Sequence, residues 1–136
     1  LYLGKSARQL EKYDKAEDYF NACREAGDDE NAAEAFYNIA EMRSDLGDYQ
    51  KSTDLALDLI AKYSHYPNWN DAAFLLIARN FYLMEEYFQS RSTLESIIAN
   101  SPNKNTIAEA KKLLEKVQDK EEEMIKEEEI EKDSIE

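Results

Sequence analysis

The side chains best suited to covalent or metal chemistry are one cysteine, Cys23, and one histidine, His65. A catalytic thiol needs a base beside it, and a metal site needs several ligands at suitable spacing. These two residues lie on separate segments, and a lone cysteine in a helix is more often a packing residue than a nucleophile. The sequence therefore predicts no catalytic residues, no metal site and no cofactor.

Carboxylates are the abundant polar groups, with 30 acidic against 17 basic side chains and a net charge of −13. Acidic runs such as Glu121-Glu122-Glu123 are usually a solvated face, and weak attraction of divalent cations is the alternative interpretation. The charge excludes a nucleic-acid partner, because phosphate binding needs clustered lysine and arginine. No apolar run is long enough to predict direct membrane insertion. These observations argue against an enzyme.

The elements that position these groups are predicted to be helices. Apolar residues recur at three- and four-residue spacing, as in Phe74, Ile77 and Phe81, and no segment alternates with a period of two. Only three glycines and two prolines interrupt the chain. An all-α fold follows, with Asn70 predicted to cap one helix and Thr106 to begin a capping box.

An internal repeat becomes visible when three tyrosines, Tyr13, Tyr49 and Tyr87, are aligned at separations of 36 and 38 residues. Each is preceded by an apolar helical pattern and followed by a second one. The predicted unit is therefore helix, tight turn, helix, and the second helix of each unit closes on one apolar or small residue: Cys23, Leu59 and Ile97.

This pattern resembles the tetratricopeptide repeat over residues 1–103. In that family small residues let paired helices approach closely and aromatic residues fill the space between pairs. The matching small residues are Gly4, Ala40 and Ala78, and the matching aromatic residues are Phe20, Phe36 and Phe74. Pro102 matches the closing proline. The resemblance implies a right-handed α-α superhelix of helical hairpins with a C-terminal capping helix.

The chain departs from the family pattern in several ways: the periods of 36 and 38 residues exceed the usual length of about 34 residues, and Ala56 stands where an aromatic residue is common. Ser52 and Ser90 occupy positions where alanine is typical, and the insertion over residues 64–70 is expected to splay the second and third units. Beyond the repeats, an apolar seam ends at Val117, while residues 117–136 carry ten acidic and three basic side chains. The predicted domains are about three hairpins over 1–104, a capping helix over 105–120 and an acidic helical or frayed tail over 121–136.

The resemblance also implies that the first helix of each hairpin lines a concave, partner-binding groove. The positions that match this surface are Lys5, Arg8, Tyr37, Glu41, Arg79 and Tyr82. For the two tyrosines, packing between neighbouring helices is an equally good interpretation. The basic and amide clamp with which some family members grip a carboxylate terminus is not reproduced, because its second lysine and second asparagine are missing.

The leading functional hypothesis is a non-catalytic protein-protein interaction module that acts as a scaffold for a protein or peptide. The alternative is a structural C-terminal region of a larger assembly subunit, with further repeats expected upstream of Leu1. The insertion resembles those of bacterial arrays in envelope assembly and secretion, which weakly suggests a periplasmic or outer-membrane-associated protein. Partner, compartment and oligomeric state are not indicated.

Overall fold

The computed structural model describes the backbone of residues 2–135 and the side chains of residues 7–135. Over that range the chain is all α-helix, as predicted, and consecutive helices pack side by side in antiparallel pairs. The six helices are α1 (Tyr2–Glu25), α2 (Asp29–Asp45), α3 (Tyr49–Lys62), α4 (Pro67–Leu83), α5 (Tyr87–Asn100) and α6 (Lys104–Ile135).

Helix α1 is continuous, so the tight turn predicted at Tyr13 is wrong. No glycine or proline lies between Gly4 and Gly27, and nothing in that stretch ends a helix. Tyr13 is instead a buried residue of α1, with the guanidinium of Arg43 4.2 Å from its ring centroid. The described chain therefore contains two complete hairpins, α2–α3 and α4–α5, preceded by α1 and followed by α6.

The turns after α1, α2 and α4 share one geometry. In each, a residue with positive φ follows the helix, and the next backbone N–H donates to the carbonyl five residues earlier. These bonds join Asp28 to Cys23, Asp48 to Arg43 and Glu86 to Phe81 at 2.9, 3.0 and 2.8 Å. Gly27 and Gly47 adopt this conformation easily, whereas Glu85 has φ 62° and pays a steric cost of about 1 kcal/mol.

A buried serine closes each complete hairpin. The Ser52 hydroxyl donates to the Ala40 carbonyl at 2.7 Å, and the Ser90 hydroxyl donates to the Ala78 carbonyl at 2.8 Å. All four residues are fully buried, so the small side chains bring the paired helices within hydrogen-bonding reach. The two serines that depart from the family pattern thus tie the second helix of a hairpin to the first.

Two predicted helix starts and the predicted insertion need correction. Helix α4 begins at Pro67, so most of residues 64–70 belongs to its first turn and Asn70 lies inside the helix. Proline favours this first helical position because its missing N–H would be unpaired there. Helix α6 begins at Lys104, and the Asn103 side chain accepts from the second helical N–H at 2.9 Å. Thr106 is a buried residue of the first turn.

The larger core cluster surrounds Phe36 of α2, which is buried as predicted. Phe20 of α1 meets its ring edge-on at a centroid distance of 5.1 Å, and Tyr63 after α3 does so at 6.2 Å. These aromatic contacts join three consecutive helices. They show how the repeat fills the space at the open end of a hairpin.

Phe74 lies 38 positions after Phe36 and was predicted to fill the equivalent space between helices, but it does not. Its side chain is 38% exposed. At the positions that correspond to the two aromatic partners of Phe36, the chain has Ala56 and Ser101. The space remains open as a pocket of about 590 Å³, lined by Asp71, Phe74, Ser92, Thr93, Ser96, Ile97, Asn100 and Ser101.

Helix α6 packs on α5 and α4 over its first half. Ala110 and Val117 are fully buried there. Near the end of this packed stretch, Arg91 of α5 forms an ion pair with both carboxylate oxygens of Glu121, at 2.9 and 3.2 Å. Residues 122–135 remain helical and exposed. Among residues 2–135, no helix combines the length and the apolar character needed to cross a membrane.

Candidate partner-binding surface

The first helices of the two hairpins, α2 and α4, lie next to each other. Tyr37 and Glu41 are one helical turn apart on α2, and the Tyr37 hydroxyl donates to Glu41 Oε2 at 3.1 Å. Burial raises the pKa of Tyr37 and so does the Glu41 carboxylate, whereas the positive charge of Arg79 on α4 lowers it. These three residues therefore share one surface, which we call the α2–α4 face.

Trp69 supports this face from the first turn of α4. Its ring lies 5.8 Å from that of Tyr37, at an interplanar angle of 39°. The contact holds the tyrosine in place and leaves both rings partly exposed. The sequence placed Trp69 in the insertion over residues 64–70. Pro67, two residues earlier, was the signal that the helix had already begun.

Arg79 is the charged side chain between the two hairpins. Its Nη2 donates to the Ser44 hydroxyl at 3.2 Å and lies 3.8 Å from Asp45 Oδ1. The Nε atom is buried and has no hydrogen-bond partner among the described residues. The guanidinium is thus fixed on one side, while its other terminal nitrogen, Nη1, forms no hydrogen bond among the described residues and can donate to an incoming oxygen atom.

A buried polar network holds Arg79 in position through its neighbour Asn80, which is fully buried. Ser44 of α2 donates to the Asn80 amide oxygen at 2.7 Å. The amide nitrogen donates to Ser52 at 2.9 Å and to Thr53 at 3.1 Å on α3. Every polar atom of the Asn80 side chain is therefore used, and one residue locks α4 against both helices of the preceding hairpin.

Tyr82 lies one helical turn after Arg79 on α4, and its ring packs towards α5 and α6. It packs against the smaller core cluster, and its ring is 5.8 Å from that of Tyr87 at the start of α5. Tyr82 is also close enough to Lys120 of α6 to contribute to raising the pKa of that amine. This placement agrees with the alternative interpretation, in which the tyrosine packs between helices.

The two basic residues predicted near the N-terminus lie on α1, which packs as a second helix and is not the first helix of a hairpin. Arg8 is exposed, and the Lys5 side chain lies outside the described residues. The α1–α2 cleft is a pocket of about 280 Å³. It is lined by Gln9, Lys12, Asn38, Glu41, Met42 and Asp45. Sequence reasoning missed Lys12 because it assigned a turn next to it.

The two lone reactive side chains lie on separate elements. Cys23 is buried at the end of α1, and His65 is exposed in the turn before α4. Within the part of the chain that the structure describes, no group of three or more histidine, cysteine or acidic side chains could hold a metal ion.

Comparison with protein families identifies one hairpin. Residues 72–104 match the tetratricopeptide repeat family model. This segment is a tetratricopeptide repeat. The match covers most of α4, all of α5 and the first residue of α6, and it confirms the family resemblance for this segment. No curated protein and no solved structure matches the chain.

The tetratricopeptide repeat contains Arg79, Asn80 and the closing Ser90. Tetratricopeptide repeats are protein-interaction modules, are usually non-catalytic, and no catalytic family is detected in this chain. The preceding hairpin, α2–α3, has the same turn and the same buried serine bond as the matched repeat. The α2–α4 face therefore lies where the first helices of two similar hairpins meet.

Proposed function

We propose that this chain is a non-catalytic interaction module that holds a segment of a partner protein on the α2–α4 face. The segment would lie across the first helices of both hairpins and would contact Tyr37, Glu41 and Arg79. Tyrosine and arginine are frequent anchors at protein interfaces, because each combines a large contact area with directional polar atoms. The α1–α2 cleft extends this surface at one end.

The observation that carries the proposal is the state of Arg79. Among the described residues, Ser44 and Asp45 engage only Nη2 of its guanidinium, and the side chain is 39% exposed, so Nη1 remains accessible to a ligand. An arginine held this way is preorganised, since less side-chain freedom is lost when a ligand binds. A carbonyl or carboxylate oxygen of an extended segment is the group that suits it.

A random-peptide display selection against the wild-type chain, followed by affinity measurement by fluorescence anisotropy, tests this proposal. For peptides that bind, Arg79→Ala should weaken the affinity by about tenfold or more, and Glu41→Ala should change it measurably. The matched control is Lys51→Ala, a basic residue exposed on α3. It should leave the affinity unchanged.

Thermal melts by circular dichroism must first show that the variants keep their helices, because Arg79 also bonds Ser44. Peptides whose affinity is insensitive to both Arg79→Ala and Glu41→Ala would contradict the α2–α4 face as the binding site.

A second candidate is permanent docking in a larger assembly. Leu10 and Tyr19 of α1 are about half exposed, and exposed apolar side chains of this kind suit contacts with constant neighbours. Sedimentation of the chain within its native complexes distinguishes the two candidates. A fixed stoichiometry that survives dilution supports the structural role, and a monomer that binds segments transiently supports the module.

A further inference from the structure

A second surface lies away from the α2–α4 face, where the start of α5 meets the last half of α6. It is a cleft of about 450 Å³, which we call the α5–α6 cleft. Its lining residues are Glu85, Glu86, Tyr87, Phe88, Gln89, Glu121, Met124, Ile125 and Glu128.

The floor of the α5–α6 cleft is apolar and exposed. The side chains of Phe88, Met124 and Ile125 are 63%, 46% and 55% exposed, respectively. The repeat itself does not require an aromatic residue at this place, because the equivalent position of the first hairpin, 38 residues earlier, is Gln50, which bonds Asp54. The fold therefore does not explain the position of Phe88.

The cleft is held open by one arginine. Arg91 places its guanidinium 5.3 Å from the centre of the Phe88 ring and pairs with both oxygens of Glu121. It also lies 3.5 Å from Glu95 on its own helix. The two sides of the cleft are α5 and α6, and these contacts fix the two helices relative to each other before a partner binds.

The rim of the cleft is uniformly acidic. Four glutamates line it, and the lining contains no lysine or arginine among the residues that the structure describes. Glu121 is paired with Arg91, while Glu85, Glu86 and Glu128 form no ion pair within residues 7–135. An apolar floor inside a negative rim is complementary to an apolar side chain flanked by cations.

The shape indicates a helix as the occupant. A second shallow cleft continues along α6 as far as Ile135 and is lined by Ile125, Glu128, Glu129, Glu131, Lys132 and Ile135. From Met124 to Ile135 this exposed side of α6 runs for about 16 Å, or three helical turns. Helices in this molecule pack side by side, and a helix from a partner can do the same along this stretch.

We propose that the α5–α6 cleft binds a basic amphipathic helix of a partner protein. Its apolar face covers Phe88, Met124 and Ile125, and its lysine or arginine residues pair with Glu85, Glu86 and Glu128. A second copy of this chain is a poor occupant, because each copy carries a net charge of −13 and would bring like charges together. An anionic lipid surface is disfavoured for the same reason.

The test uses a synthetic helical peptide with leucines on one face and lysines on the other, compared with a scrambled peptide of the same composition. Binding to the full chain is followed by fluorescence anisotropy. The amphipathic peptide should bind more tightly than the scrambled one. Phe88→Ser and Ile125→Ser should each weaken its binding by about tenfold, and Glu128→Gln should reduce the salt dependence of binding.

Two control variants separate this site from others. Leu57→Ser removes an exposed leucine of α3 outside the cleft and should leave the affinity unchanged. Arg79→Ala should also leave it unchanged, so that failure here and failure of the α2–α4 face are distinguishable. All substituted residues are partly or largely exposed, and helicity of each variant is checked by circular dichroism.

Three results would overturn the proposal. The first is equal binding of the two peptides, which would indicate attraction by charge alone. The second is unchanged affinity in both Phe88→Ser and Ile125→Ser. The third is an alternative occupant: a dimer in sedimentation, or binding to phosphatidylcholine vesicles, that Phe88→Ser abolishes while the peptide fails to bind.

Discussion

At the residue scale, Asn80 shows how a single polar side chain can define the contact between two hairpins. Its amide reaches Ser44, Ser52 and Thr53, which belong to both helices of the preceding hairpin. Ser52 and Thr53 use their own protons elsewhere, on the carbonyls of Ala40 and Tyr49, so both can accept from the amide. Donors and acceptors match throughout this buried site.

Replacing Asn80 with alanine should lower the free energy of unfolding by about 3 kcal/mol, because a cavity forms and the Ser44 hydroxyl loses its buried acceptor. Urea denaturation followed by circular dichroism measures this loss. Met42→Ala is the control, since Met42 is the half-buried equivalent of Asn80 in the first hairpin. If both substitutions cost the same, the network contributes little.

A matched pair of phenylalanines gives the second prediction. Phe36→Ala should cost about 3–4 kcal/mol, because the ring is buried against Phe20 and Tyr63. Phe74→Ala should cost about 1 kcal/mol, because that side chain is partly exposed beside an open pocket. Chemical denaturation of both variants gives the comparison, and a larger loss for Phe74→Ala would show that the pocket closes in solution.

The difference between these phenylalanines also shows what sequence can and cannot predict. Aligning the repeats predicted packing positions for Phe36 and Ala40 and a closing position for Leu59, and all three are buried, because helical spacing decides which face is buried. The exposure of Phe74 depends on the residues opposite it on other elements. The partners of Arg79 depend in the same way on where α2 places Ser44 and Asp45, and spacing along one helix does not contain that information.

At the element scale, helices were predictable and their ends were less so. Glycines mark the turns at Gly27 and Gly47, but Glu85 adopts the same left-handed conformation without being a glycine. The uninterrupted α1 was misread because tyrosine alone was taken to mark a turn. At Glu85 the residue type does not favour the turn, and the turn is stabilised by the hydrogen bond from the Glu86 N–H to the Phe81 carbonyl.

Helix α6 carries the prediction at this scale. Ending the chain after Glu121 should leave the melting temperature nearly unchanged, because residues 122–135 are exposed. Ending it after Lys120 should cost about 1 kcal/mol more, since Arg91 loses its partner. Ending it before Thr106 should cost several kcal/mol through the loss of buried Ala110 and Val117.

Thermal melts of the three truncated chains, recorded in one buffer, distinguish these cases. A large fall on removing residues 122–136 alone would mean that the acidic segment stabilises the body of the fold.

At the scale of the whole molecule, the net charge of −13 opposes the compact state. Raising the salt concentration should therefore raise the melting temperature by a few degrees, about 0.5–1 kcal/mol of relieved repulsion. The chain ending after Glu121 should gain less, because much of the charge is gone. Calorimetry in low and high salt measures both, and a fall with salt would show that ion pairs such as Arg91–Glu121 outweigh the repulsion.

The Asn80 network has a consequence for how such arrays change over time. The two hairpins are alike in their turns and serine bonds. Their junctions with the next element differ. Between the two hairpins, the Asn80 amide forms hydrogen bonds with three hydroxyl groups, whereas between the second hairpin and α6, Arg91 forms an ion pair with Glu121. If the α2–α3 hairpin were duplicated or moved to the place of the second hairpin, Met42 would occupy the position of Asn80. A methionine there could not form the hydrogen bonds that Asn80 makes to the three hydroxyl groups. The order of the units is therefore encoded at their junctions, and recombination must carry both sides of a junction together.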